Sequence, residues 1–175
     1  MKKREKEKIV YKGKYLQVSE ELINGHIFER VVLRSGVHIL PIEEAKVLLI
    51  HEERPHEKQA RWKLISGWVD KKGKTILEHA QEELAEEIAH QAKIWEEIKI
   101  PSNEGATVCQ NIHYFIARGL RKMSHPPENP DSGKILSYRW FSQEDLKKGI
   151  MEGRIYPSRG VLLAYLYLDK EFDRK

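Results

Sequence analysis

Along the first fifty residues, apolar side chains come in short bursts rich in β-branched and aromatic members, divided by turn dipeptides and charged pairs. Residues 15–18 and 27–33 read as strands, and Asn24-Gly25 between them is the dipeptide that a two-residue hairpin turn favours. Residues 37–40 and 45–50 read as further short strands, broken by Pro41 and by the acidic pair Glu43-Glu44. The period then changes. Between 75 and 89 the residues Leu77, Ala80, Leu84 and Ile88 recur every three or four positions, the spacing of one helical stripe. Thr75 opens that stretch with Glu78 three residues on, as in a capping box. Strands return at 96–100 and 112–117, followed by a polar, proline-rich loop over 123–133. A strand over 135–141 leads into a helix capped by Ser142 and stopped near Gly153, and Ser158 opens a last apolar helix through Leu168. The order predicts an α/β chain, more narrowly an α+β mixed sheet sandwiched by helices, in which 77, 80, 84 and 88 are buried and Glu83 and Glu87 face a cleft.

Composition narrows the class without changing that picture. At 175 residues, 40% hydrophobic and 33% charged, the chain has the size and make-up of one globular domain. Its longest apolar runs fall far short of the roughly 20 residues that cross a bilayer. The start, Met1-Lys-Lys-Arg-Glu-Lys-Glu-Lys8, lacks the apolar stretch of a signal peptide, so no membrane partner and a cytoplasmic location are expected. A single cysteine, Cys109, excludes an internal disulfide and a multi-thiolate zinc site. The excess of 31 Lys+Arg over 27 Asp+Glu is modest, +4, and lies in the charged start and in pairs such as Lys71-Lys72 and Lys147-Lys148. Such runs read as solvated faces, and nucleic acid is not the expected partner.

Chemistry concentrates on the helix over 75–89. Its polar side carries Glu82, Glu83, Glu86 and Glu87, with Glu83 and Glu87 one turn apart. Two readings satisfy that spacing: a fully solvated acidic face, or carboxylates held together by divalent cations, which favour hard oxygen ligands.

The segment from Trp62 to Ala89 resembles the Nudix box and the approach to it. The family pattern is a glycine, five residues, a glutamate, seven residues, then Arg-Glu-apolar-x-Glu-Glu-x-Gly. Gly67 matches the opening glycine, Glu83-Leu84 the Glu-apolar pair and Glu86-Glu87 the paired glutamates. The chain is most similar to the ADP-sugar (ADP-ribose) pyrophosphatase branch. Arg54-Pro55, the Trp62-Lys-Leu-Ile-Ser-Gly67 approach, Arg34-Ser-Gly-Val37 and Tyr138-Arg-Trp-Phe-Ser142 each have a counterpart there. The box is degenerate. The family arginine is Glu82 here, the loop glutamate is Lys74, the closing glycine is Ala89, and one extra lysine lies between Asp70 and Gly73.

The resemblance implies a Nudix fold over 41–175, with 1–40 as a strand-rich extension of the same unit that could serve a homodimer. It implies Mg²⁺ or Mn²⁺ on Glu83 and Glu87, with the Ser66 carbonyl and Glu86 as further ligands, and a catalytic base in the 126–134 loop, where Glu128 and Asp131 are the candidates. Arg54 is the candidate phosphate contact, because a guanidinium holds two phosphate oxygens at once, with an ion pair to Glu52 or Glu53 as the plain alternative. Arg34 is a second substrate-binding candidate. Trp62 and Trp68 are candidates to stack on a base, or else pack in the core. Three functions follow: a metal-dependent hydrolase of a nucleoside diphosphate sugar or related nucleotide, a catalytically weakened Nudix nucleotide-binding module, and an RNA-processing or RNA-binding Nudix protein suggested only by the basic balance.

Overall fold

A computed structural model of the chain describes residues 7–100, 103–105, 107–127 and 134–169. In the first layer β1 (Lys8–Lys12), β2 (Leu16–Ile23) and β3 (His26–Leu33) form an antiparallel ribbon; β10 (Val108–Gln110) joins β3 in parallel, and β9 (Asn103–Glu104) closes the edge. The expected hairpin is present. Asn24 and Gly25 both sit at positive φ, 51° and 81°, the conformation that a twist-matched two-residue turn requires.

A second sheet has the order β12 (Lys134–Phe141), β5 (Lys46–Glu53), β4 (Gly36–Glu43), β11 (Ile112–Lys122) and β8 (His90–Ile98). Short strands β6 (Arg61–Lys63) and β7 (Ile65–Trp68) attach to β5 and β4. Pro41 does not break β4, contrary to expectation. On one edge β4 pairs with β7 as far as Ile39↔Ile65 and with β5 from Ile42↔Val47, so the residue without an N–H falls where the strand changes partner. The same strand runs across the division drawn at residue 40.

Alternation along β5 divides the core in two. Val47 and Leu49 pack into a cluster with Leu64, Phe141, Leu146, Ile155 and Val161, beneath α2 (Gln143–Met151) and α3 (Arg159–Tyr167). Leu48 and Ile50 face the other way, into a cluster with Val37, Ile39, Ile65 and the stripe Ala80, Leu84, Ile88 of α1 (Ile76–Ile88), with Leu77 half-buried at its margin. The sheet is thus sandwiched by helices, as the sequence predicts. Among the described residues no helix is long and apolar enough to cross a membrane.

Local chemistry fixes the ends of α1. Thr75 Oγ1 accepts the Glu78 N–H at 3.2 Å, and the Glu78 carboxylate accepts the Thr75 N–H at 2.6 Å, completing the capping box. At the other end Ala89 adopts the left-handed conformation, φ 58° and ψ 37°, and its N–H bonds to the Ala85 carbonyl. A glycine takes that conformation without Cβ strain, whereas a left-handed L-residue costs about 1–2 kcal/mol, offset only in part by the backbone freedom glycine loses on folding. Ala89→Gly is therefore expected to stabilise the chain by about 1 kcal/mol, raising Tm by about 2–4 °C. A thermal melt of the variant that shows no rise would contradict this strain.

Candidate active site

Pairing of β4 with β7 places His38 opposite Ser66 and Val37 opposite Gly67, and α1 packs across this pair. Glu83 and Glu87 immediately precede Leu84 and Ile88, so the contacts that bury the apolar stripe carry both acids inward. Glu83 is only 8% exposed. A Cβ built on Gly67 would lie 1.9 Å from Glu83 Cδ, so a side chain there would push this carboxyl group out of its place. One turn on, Glu87 Oε2 accepts a long hydrogen bond, 3.4 Å, from the Ser66 N–H. Burial pushes the Glu87 carboxyl up to about 8; Lys63 opposes the shift, and the negative charges of Glu83 and Glu52 add to it. Glu52 is itself buried, and its Oε2 pairs with Lys63 Nζ and Arg54 Nε, each at 2.5 Å.

The other two acids of the cluster are already neutralised. Lys71 Nζ lies 2.9 Å from Glu86 Oε1 and 3.0 Å from Glu82 Oε2, and Lys74 pairs with the second oxygen of Glu82. Burial alone would lower the Lys71 ammonium; hydrogen bonds to Glu86 and Glu82 outweigh it and hold the group well above its ordinary range. Lys74 occupies the loop-glutamate position and Glu82 the arginine position, and the bridge between them joins loop to helix.

Two adjoining cavities of about 240 and 200 Å³ share His38, Arg54 and Ser66 in their walls. Glu83 and Glu87 line neither; they lie against the Ser66-Gly67 strand that borders them. The larger of the two presents three cations, Arg54, Arg61 and Lys63, against Glu52 and Glu57. A roomier cavity of about 490 Å³ on the outer flank of α1 presents three acids, Glu78, Glu82 and Glu86, against Lys74 alone. Its charge disfavours an anionic ligand, and the basic pair suits one.

The sequence-derived candidates separate on this geometry. Ser66, Glu83 and Glu87 come together, and Glu86 turns toward Lys71. Arg54 is half-exposed at the cavity wall while bound to Glu52. Arg34 pairs with Asp70 at 3.3 Å and approaches the Tyr15 ring, outside both basic cavities. Trp62 stacks on His51 at 4.7 Å, meets Phe141 edge-on and packs against the core; Trp68 stacks on Tyr15 and lines the smaller cavity. Cys109 is a buried thiol that accepts from Arg30 Nη2 at 2.7 Å. Glu128 and Asp131 lie outside the described residues. His38, Arg61, Lys63 and Tyr156 line the larger basic cavity without having been expected there. Burial, with Lys63 adding to it, pushes His38 down to about 4, so the imidazole is neutral at pH 7. Its Nδ1, like Arg61 Nε, has no hydrogen-bond partner among the described residues.

The comparison that decides the family is a match of the NUDIX domain model to residues 32–165. The chain belongs to the Nudix family. It is a Nudix-type pyrophosphohydrolase, in a family that generally uses divalent cations. Among solved structures, this Nudix chain is similar to the crystal structure of an ADP compounds hydrolase, with 18% identity, a TM-score of 0.72, and coverage of 98% of this chain and 93% of that one. At that identity the likeness is one of fold. No curated protein matches the chain.

The residues present fit a divalent cation. No three His, Cys, Asp or Glu side chains converge on one point among the described residues. A small hard cation that keeps waters and substrate oxygens nevertheless needs only one or two carboxylates from the protein. Buried Glu83 and half-buried Glu87, one turn apart against the Ser66-Gly67 strand, supply them.

Without metal, Glu87 should make stability pH-dependent. The folded carboxyl keeps its proton to about pH 8, whereas the unfolded one releases it near its ordinary value of 4.5, so the folded state binds more protons in between. Tm measured in chelator is expected to fall as pH rises from about 5 to 8 and to level off above, and Glu87→Gln should remove that component. An identical profile in parent and variant would show that Glu87 is not perturbed.

Proposed function

We propose that the chain hydrolyses the diphosphate bond of a nucleoside diphosphate sugar or related nucleotide, with Mg²⁺ or Mn²⁺, yielding a nucleoside monophosphate and a sugar phosphate. The observation that carries this reading is the pair of buried Glu83 and half-buried Glu87, set against Ser66-Gly67 beside a basic cavity. Glu83, Glu87 and the Ser66 carbonyl would hold the cation, while Glu86, expected as a further ligand, is taken up by Lys71. The cation, when bound, neutralises charge on the bridging and leaving oxygens and lowers the pKa of a water. Arg54, with Arg61 and Lys63, orients the diphosphate by charge-assisted hydrogen bonds. His38, being neutral, suits an uncharged polar part of the ligand rather than its phosphates. Glu128 or Asp131, from the resemblance, would take the proton from the attacking water.

A second reading, a weakened module that binds nucleotide and turns it over slowly or not at all, is favoured by one feature, the neutralisation of Glu82 and Glu86 by Lys71 and Lys74. The first sheet also carries exposed Ile9, Val10, Tyr11, Ile27 and Phe28, and a second copy of the chain is the proposed cover. Sedimentation at micromolar concentration should show a dimer, and a monomer would remove that assignment.

The deciding assay is a panel of nucleoside diphosphate sugars and dinucleotides with Mg²⁺ or Mn²⁺, read by phosphatase-coupled phosphate release. Metal-dependent turnover is expected, and Glu87→Gln should lower it by about two orders of magnitude or more, since one ion supplies both charge stabilisation and nucleophile. Mg²⁺ or Mn²⁺ should also raise the parent's Tm by mass action, with most of the shift lost in Glu83→Gln and Glu87→Gln. Nucleotide binding without turnover across the panel would favour the weakened module; a Tm shift that survives both substitutions would remove the metal centre.

A further inference from the structure

Arg61 differs from the other cations of the larger basic cavity in having no partner. Arg54 Nε and Lys63 Nζ both lie 2.5 Å from Glu52 Oε2, so one carboxylate holds two of the three positive charges. Arg61 stands directly opposite Glu52 in the pairing of β5 with β6, yet among the described residues its guanidinium makes no ion pair, and its buried Nε–H meets no acceptor. A buried donor left unpaired costs about 1–3 kcal/mol, which an acceptor brought by a ligand would recover. Glu57, the other acid of the cavity wall, is exposed, and solvent screens it.

The chain between α2 and α3 builds the wall beside this guanidinium. Trp62 donates its N–H to the Arg154 carbonyl and accepts from the Tyr156 N–H, so this segment runs alongside β6 and brings Tyr156 to the cavity that Arg61 and Lys63 line. Ser158, the N-cap of α3, lines it too, and the first N–H groups of that nine-residue helix have no intrahelical partner. Gly160 lets the helix start close in, since a Cβ there would lie 2.7 Å from both His38 Nδ1 and Leu64 Cδ1. An uncommitted guanidinium, a helix N-terminus and two hydroxyls thus border one space, a donor set suited to an oxyanion with several acceptor oxygens.

Charge and position indicate which oxyanion. The charge of a diphosphate diester is already balanced by the proposed divalent ion, and Lys63 stands two residues, about 7 Å of strand, nearer to Ser66 than Arg61 does. Arg54 and Lys63 together exceed Glu52 by one positive charge, and Arg61 adds a second. A phosphate monoester carries about −1.5 to −2 at pH 7, which matches that excess. We propose that the Arg61 end of the cavity takes a phosphate monoester carried by the nucleotide beyond its diphosphate bond, with Arg61 as the residue that selects it. The inference rests on the hydrolase reading above and narrows its substrates to nucleotides bearing such a phosphate. A share in orienting the diphosphate occupies one edge of the guanidinium, and its fork of N–H donors leaves another for the monoester.

The test is isothermal titration calorimetry of the full-length chain in chelator with two matched pairs of ligands: NADPH against NADH, which differ by a 2′-phosphate, and coenzyme A against dephospho-coenzyme A, which differ by a 3′-phosphate. The phosphorylated member of at least one pair is expected to bind about tenfold tighter, the gain of one charge-assisted contact. Arg61→Gln should abolish that preference, and Arg61→Lys, which keeps the charge without the fork, should reduce it. Equal affinities within both pairs, no binding of any of the four, or a preference that persists in Arg61→Gln would overturn the assignment. If Arg61→Gln melts below the assay temperature, an undiminished preference in Arg61→Lys overturns it instead. Metal-dependent turnover of the substrate panel without the preference would keep the hydrolase and remove the role of Arg61; the preference without turnover would keep that role and favour the weakened module.

Discussion

Two carboxylates one helical turn apart, pressed against a strand with no room for a side chain, are the constraint on which the rest of this chain depends. A side chain at Gly67 would displace the Glu83 carboxylate, which occupies the space a Cβ would take. The helix that carries the acids is held in register by Ala80, Leu84 and Ile88 on the sheet and by the capping box at Thr75. Burying two like charges is costly unless they are paired or one takes up a proton, and the high affinity of Glu87 for its proton expresses that cost. Lys63 offsets it only in part, because Glu52 holds the same ammonium. The fold therefore maintains an acidic pair that the proposed divalent cation would relieve, consistent with chains that accept local instability where chemistry is done.

The outer flank of the same helix follows the opposite logic. Glu82 and Glu86 are half-exposed or nearly buried, and two lysines neutralise them. Lys71 and Lys74 tie the loop to the helix through these two acids. Exposed bridges of this kind contribute little to stability, typically about 0–1 kcal/mol. Their consequence is positional: they set where the carboxylates of Glu82 and Glu86 point.

Much of this was legible in the sequence, for identifiable reasons. Capping residues, the Asn24-Gly25 turn and the apolar stripe are local signals, and each corresponds to an observed element. Strands β1, β6, β7, β9 and β10 were missed because they are short or, like β1, wholly exposed, so they carry no alternation. The start of β8 at His90 was missed because it lies at an edge of its sheet and is largely polar. Glu83, Glu87 and Ser66 meet because helical spacing and the box resemblance both survive folding. The roles of Glu52, Lys63 and His38 depend on how β4, β5, β6 and β7 align, which no residue pattern within one strand discloses. Likewise, the pairing of Lys71 with Glu86 depends on the path of a loop one residue longer than the family's.

The most direct test of the carboxylate pair is anomalous X-ray scattering from crystals of the chain grown with Mn²⁺ at neutral pH. A manganese peak within about 2–2.5 Å of oxygens from both Glu83 and Glu87, beside the Ser66 carbonyl, is the predicted result. Fully bound manganese found elsewhere, with the two carboxyl groups still packed against Gly67 and free of metal, would contradict it.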